Sequence, residues 1–153
     1  MSEVNYRHEH GCSNKALKYA PKHIRRVGQI RTIEGYRWAS RRSYVCEGDG
    51  ERHYWRNTHE RLRIRGENGQ VLLDGVCWGY HGQGPRALVD MLVVAGLTKQ
   101  LAEYVAFNSP RNDSAGVDWK ITLGPDNKVV DIHFDHNRPK KTSERQRRLA
   151  FAA

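Results

Sequence analysis

The stretch HERLRIRGENGQVLLDGV, residues His59 to Val76, decides the fold class. Leu62 and Ile64 alternate with Arg61, Arg63 and Arg65, the period-two pattern of a strand with one apolar and one cationic face. Gly66-Glu67-Asn68-Gly69 follows, and its Asn68-Gly69 pair tolerates the positive φ that tight hairpins demand. Val71 to Val76 is therefore expected to return as the partner strand, placing an antiparallel hairpin at the centre of the chain.

Downstream, CWGYHGQGPR (Cys77 to Arg86) crowds three glycines and a proline between this hairpin and a run of helical period. Leu88, Met91, Leu92 and Ala95 recur at helix spacing while Val89, Val93 and Val94 make the other side apolar, so the helix is expected to be well buried. Gly96 fits its end, and Thr98 fits the cap of a second helix presenting Leu101, Tyr104 and Val105 and stopping near Asn108-Ser109-Pro110. Val117, Trp119, Ile121 and Leu123 then alternate, Gly124-Pro125-Asp126-Asn127 turns, and Val130, Ile132 and Phe134 alternate back. The order of strands, two helices and strands predicts an α+β fold: a mainly antiparallel sheet with a helical hairpin packed on one face.

The segment from Leu73 to about Phe134, centred on Trp78-Gly79-Tyr80-x-Gly82-x-Gly84-Pro85, resembles a family of small uncharacterised bacterial and phage proteins marked by a W-G-Y-G-G-x-G-P signature before a helix. The resemblance implies a shared fold core and a microbial or viral setting, and no reaction; this chain departs from it with His81 where the family has glycine. Physically, a glycine-rich turn opening a helix can aim backbone N–H groups and the helix dipole at an anion. Tyr80, His81, Gly82, Gly84 and Arg86 are the candidate ligand loop on that reading. The spacing is neither the Gly-Lys-Ser/Thr ending of a Walker A nor the G-x-G-x-x-G of dinucleotide folds, and no cofactor is assigned. The competing reading has Trp78 and Tyr80 packing while the glycines let the backbone turn beneath them.

Upstream of the hairpin, arginine and aromatic residues interleave. Arg26 to Glu34 and Tyr36 to Cys46 are expected as two strands, with Glu47-Gly48-Asp49-Gly50-Glu51 as a turn cluster. Arg37, Arg41, Arg42, Arg52, Arg56, Arg61, Arg63 and Arg65, with Trp38 and Trp55, form the candidate nucleic-acid platform, since arginines hold phosphates and exposed aromatics stack bases. Residues 1–23 are expected as a basic arm with a short helix at Ser13 to Ala20 ending before Pro21, residues 24–137 as one domain, and residues 138–153 as a basic tail.

The distribution of charge supports that emphasis. The chain of 153 residues carries a net charge of +9, with +8 in residues 1–65, −4 in residues 66–137 and +5 in residues 138–153. The positive field is therefore expected away from the glycine loop unless folding brings the segments together. No apolar run approaches the roughly 18 residues of a membrane helix, the N-terminus lacks the order of a secretory signal, and Cys12, Cys46 and Cys77 lack paired spacing. A cytoplasmic protein without membrane partners is expected. His8, His10 and Cys12, with His133 and His136, are possible zinc donors without the spacing of a structural site, and no metal is assigned. His81 with Asp74 or Asp90, and His133 with Asp135 and His136, are candidate catalytic groupings, and nothing in the sequence requires either to converge. The leading expectation is a non-enzymatic nucleic-acid-binding accessory protein. Behind it stand a phage-type anti-defence effector that binds a host protein or nucleoprotein complex, or sequesters a nucleotide, and an enzyme on phosphorylated substrates.

Overall fold

The computed structural model describes residues 4–8, 13–45, 48, 50–112 and 115–135, with backbone and register alone at 7–8, 13–16, 38–45, 52–59, 112 and 115. Strand β3 (Arg52–Gly66) turns through Glu67 and Asn68 into β4 (Gly69–Leu73), pairing Leu62 with Leu73 and Ile64 with Val71 as the alternation requires. The positive φ of this corner falls on Gly69, at 136°, where a Cβ would also collide with the Val4 backbone of β1 (Val4–His8).

Strand β2 is one unbroken strand, Ile30–Val45, where two were expected. Gly35, the residue between them, is a packing requirement: it is buried, and the Trp119 indole fills the space its side chain would take. Strands β5 (Arg111–Asn112) and β6 (Ala115–Gly116) form a short separate ribbon, and β7 (Asp118–Leu123) and β8 (Val129–Asp135) form the second predicted hairpin. The main sheet runs β1-β4-β3-β2-β7-β8, antiparallel throughout except for the parallel β1–β4 pair.

Much of the segment expected as a basic arm is structured. It supplies β1 and most of helix α1 (Ser13–Arg26), which runs through Pro21. An interior proline costs roughly 3 kcal/mol, but each large apolar side chain buried returns about 1.5–3 kcal/mol. Ile24 and Ala20 are buried on this helix and Leu17 packs beside them. Helix α2 (Gln83–Val94) places Pro85 in its first turn, and α3 (Lys99–Asn108) is capped by Thr98, whose Oγ1 accepts a 3.2 Å hydrogen bond from the Leu101 N–H.

The α+β class holds. Ile33, Leu62, Ile64, Val71, Leu73, Trp119 and Ile121 occupy one register face of the sheet and join Ile24, Leu88, Met91, Leu92 and Val105 of the helices in a single core. The other face carries Thr32, Glu34, Tyr36, Arg61, Arg63, Arg65, Asp118, Lys120 and His133.

Candidate nucleic-acid interface

The arginine-rich half folds into a ribbon. Strand β2 pairs with β7 only from Thr32 to Gly35, and β3 pairs with β4 only from Leu62 to Gly66, whereas β2 and β3 stay paired from Tyr36 opposite Arg61 to Val45 opposite Arg52. Among the described residues, the outer parts of β2 and β3 have no strand neighbour but each other. The base is tied down at two points. The Arg37 N–H donates to Asp118 Oδ1 at 2.8 Å, and the Glu60 carboxylate accepts from the Gly116 N–H at 2.9 Å and the Trp78 N–H at 3.3 Å. Beyond it, the pairs from Trp38 opposite His59 to Val45 opposite Arg52 extend for about 24 Å at roughly 3.4 Å per residue.

The pleat sorts this ribbon into two chemistries. One register face holds Arg37 opposite Glu60, Ala39 opposite Thr58, Arg41 opposite Arg56, Ser43 opposite Tyr54 and Val45 opposite Arg52. The other holds Tyr36 opposite Arg61, Trp38 opposite His59, Ser40 opposite Asn57, Arg42 opposite Trp55 and Tyr44 opposite His53. The first has four arginines with one glutamate and one tyrosine, and the second has four aromatic residues with two arginines and two histidines. The ten residues expected to make the platform are therefore not one surface: Arg37, Arg41, Arg52 and Arg56 share a face, and Trp38, Arg42 and Trp55 share the opposite one with the row of Arg61, Arg63 and Arg65.

Those last three arginines are in different situations. Arg61 Nε lies 2.7 Å from Asp74 Oδ1 and its Nη2 lies 3.3 Å from Oδ2, a two-pronged bridge between side chains 12% and 9% exposed. Burial works against the Arg61 charge, yet the bridge more than offsets it, and the guanidinium holds its proton more tightly than usual. The Arg63 guanidinium sits 5.0 Å over the Tyr36 ring, donates to the Tyr36 hydroxyl at 3.3 Å and lies 3.9 Å from Glu34. Arg65 is exposed.

Glu60 is the residue the sequence reading missed. It sits on β3 one residue before the apolar alternation starts, and its two backbone partners come from distant segments, which no local pattern announces. Burial pushes its carboxyl above the usual range, against the lowering effect of the two N–H groups and of Arg111 and Arg37.

The glycine loop is a packed corner. Trp78 is fully buried, its Nε1 donates to the Val117 carbonyl at 2.8 Å, and its ring meets Trp119 edge-on at 5.5 Å. The Gly79 N–H donates to the Ala106 carbonyl at 2.8 Å with φ at 91°, a Cβ on Gly82 would come within 2.8 Å of the Tyr80 ring, and one on Gly84 would strike Cys77 Sγ. Gly79 is thus explained by its positive φ, and Gly82 and Gly84 by close approach. Tyr80 is 43% exposed, with Arg111 4.9 Å over its ring and its hydroxyl 2.9 Å from Cys77 Sγ. The contact with Cys77 and partial burial push the Tyr80 hydroxyl up to about 12, and burial pushes the Cys77 thiol up. Both stay protonated at neutral pH, which suits packing and not nucleophilic chemistry. His81 is exposed and stacks on Phe107 at 4.4 Å, and Arg86 is exposed at the start of α2.

His10, Cys12 and His136 of the possible zinc donors lie outside the described residues, as does the tail 138–153. Among the described residues no helix is long and apolar enough to cross a membrane. Compared with known protein families, curated proteins and solved structures, the chain matches none.

Proposed function

We propose that this protein binds nucleic acid, without catalysing a reaction on it, through the β2–β3 ribbon. The observation that carries this reading is the placement of Arg41 directly opposite Arg56 on a two-stranded element. Like charges facing each other across a strand pair destabilise it, and this ribbon has no third strand among the described residues to make up the loss. A phosphate held between the two guanidiniums turns that repulsion into charge-assisted hydrogen bonds. Arg37 and Arg52 extend the same face along the ribbon, and the net charge of +9 draws a polyanion toward it.

The test is affinity for a labelled oligonucleotide at physiological salt. Replacing Arg41 and Arg56 by alanine together is expected to weaken binding at least tenfold. Replacing Lys99 and Lys128, exposed cations outside the ribbon, removes the same formal charge and is expected to change affinity by less than about threefold, the long-range share alone. Equal losses from the two double variants would mean that the protein binds as a diffuse cation and that the ribbon has no special part.

A further inference from the structure

We infer that the partner is single-stranded, and that its bases stack on the ribbon face opposite the arginine pair. This rests on the nucleic-acid reading above and names its substrate class. Four of the five register pairs on that face, from Tyr36 opposite Arg61 to Tyr44 opposite His53, contain an aromatic ring or imidazole; only Ser40 opposite Asn57 lacks one. Successive pairs on one face are about 7 Å apart. The face is continuous with the sheet face opposite the helices, where Arg63 already sits over Tyr36. Arg42 is the register partner of Trp55 at the outer end of the row.

Elementary energetics points the same way. A two-stranded ribbon has no core of its own and is at best marginally stable in water. Two tryptophans and a tyrosine at positions 38, 55 and 44 are a large apolar area for such an element, and no described strand pairs alongside them. Unpaired bases cover rings at little cost in sequence preference, because every base has a π-face. A duplex keeps its bases stacked on one another and offers this face nothing to cover it with, whereas a polyanion of either kind satisfies the arginine face. The aromatic face has its own cations for the backbone of the strand it stacks, Arg42 by register with Arg63 and Arg65 further along the same row, and a single strand that passes over the ribbon edge reaches the Arg41–Arg56 pair on the other side.

The protein has four tryptophans, and Trp78 and Trp119 are 0% and 2% exposed, so emission is followed in the parent, Trp38→Phe and Trp55→Phe, and the part of the change each variant loses reports that ring. The experiment titrates the full chain with oligo(dT), oligo(rU) and a mixed-sequence duplex, each of about 20 units, longer than the roughly 4–16 nucleotides a small platform covers. Both single strands are expected to quench emission and to bind at least tenfold more tightly than the duplex at about 200 mM salt. Trp38→Ala and Trp55→Ala are each expected to weaken single-strand binding by about fivefold to a hundredfold, with Trp→Phe retaining most of it. Duplex binding as tight as single-strand binding, without quenching, overturns the inference. So does quenching that follows protein concentration in the absence of nucleic acid, which would assign the face to a second copy. In either case the arginine double variant still decides the parent reading: if it loses binding to the duplex, the nucleic-acid function stands and only the single-strand assignment falls.

Discussion

Replacing Arg61 separates arginines that hold the fold from arginines that hold a ligand. In the bridge to Asp74 both side chains are about nine-tenths withdrawn from water, and two N–H groups meet two carboxylate oxygens at 2.7 and 3.3 Å. Arg61→Ala leaves the Asp74 carboxylate buried with its bidentate partner gone. Removing one member of a buried ion pair costs about 3–5 kcal/mol, mainly because the remaining charge is uncompensated. For a chain of this size about 1 kcal/mol moves the melting temperature by roughly 2–4 °C, so a fall on the order of 10 °C is expected. Arg61→Met combined with Asp74→Leu removes both charges and keeps the volume, and is expected to recover most of the loss. Calorimetry or thermal circular dichroism measures it, with oligonucleotide affinity read well below the transition. The folded fraction of Arg61→Ala is expected to bind within about threefold of the parent, in contrast to the loss at Arg41 and Arg56. An Arg61→Ala protein that melts like the parent and loses oligonucleotide affinity would refute the reasoning.

Gly84→Ala drives a Cβ into Cys77 Sγ and disturbs its contact with Tyr80, a small overpacking expected to cost about 1–3 kcal/mol in urea unfolding; Cys77→Ala in the same chain is expected to relieve most of it. Glu60 gives a pH test: its folded-state carboxyl lies above the ordinary range, so its favourable share of stability is fully present below the unfolded pKa and is lost as pH rises through the raised folded value. The stability of the parent relative to Glu60→Gln is therefore expected to improve as pH falls from neutral toward the carboxylate range, and a relative loss on acidification would contradict the assignment.

The central hairpin was legible because Leu62, Ile64, Val71 and Leu73 each obey a period of two around a turn that only glycine fits, so local pattern and tertiary demand agree. The α2–α3 turn was legible for the same reason, with Gly96 and Thr98 supplying a stop and a start. Strand β1 was not: five residues with mixed polarity pair in parallel with a strand about sixty residues away, and nothing local marks that pairing. Pro21 read as a helix end because the sequence shows its missing donor but not the core under Ile24. At the interface, alternation assigned Arg61, Arg63 and Arg65 to one face, but alternation says nothing of partners. Asp74 reads in the sequence as part of the returning strand, yet β4 ends at Leu73 and Asp74 sits just past it, 7% exposed. Nor does a list of arginines reveal that Arg41 faces Arg56 while Arg42 faces Trp55; that depends on the register of a long hairpin whose turn lies at its far end.

The most direct test of the ribbon as a phosphate-holding element is the slope of log affinity against log salt, between about 50 and 200 mM, for the parent and for the Arg41→Ala, Arg56→Ala double variant. Two lost phosphate contacts are expected to reduce the magnitude of that slope by about 1.4 for a single strand. A double variant with the parent's slope and the parent's affinity would contradict the account.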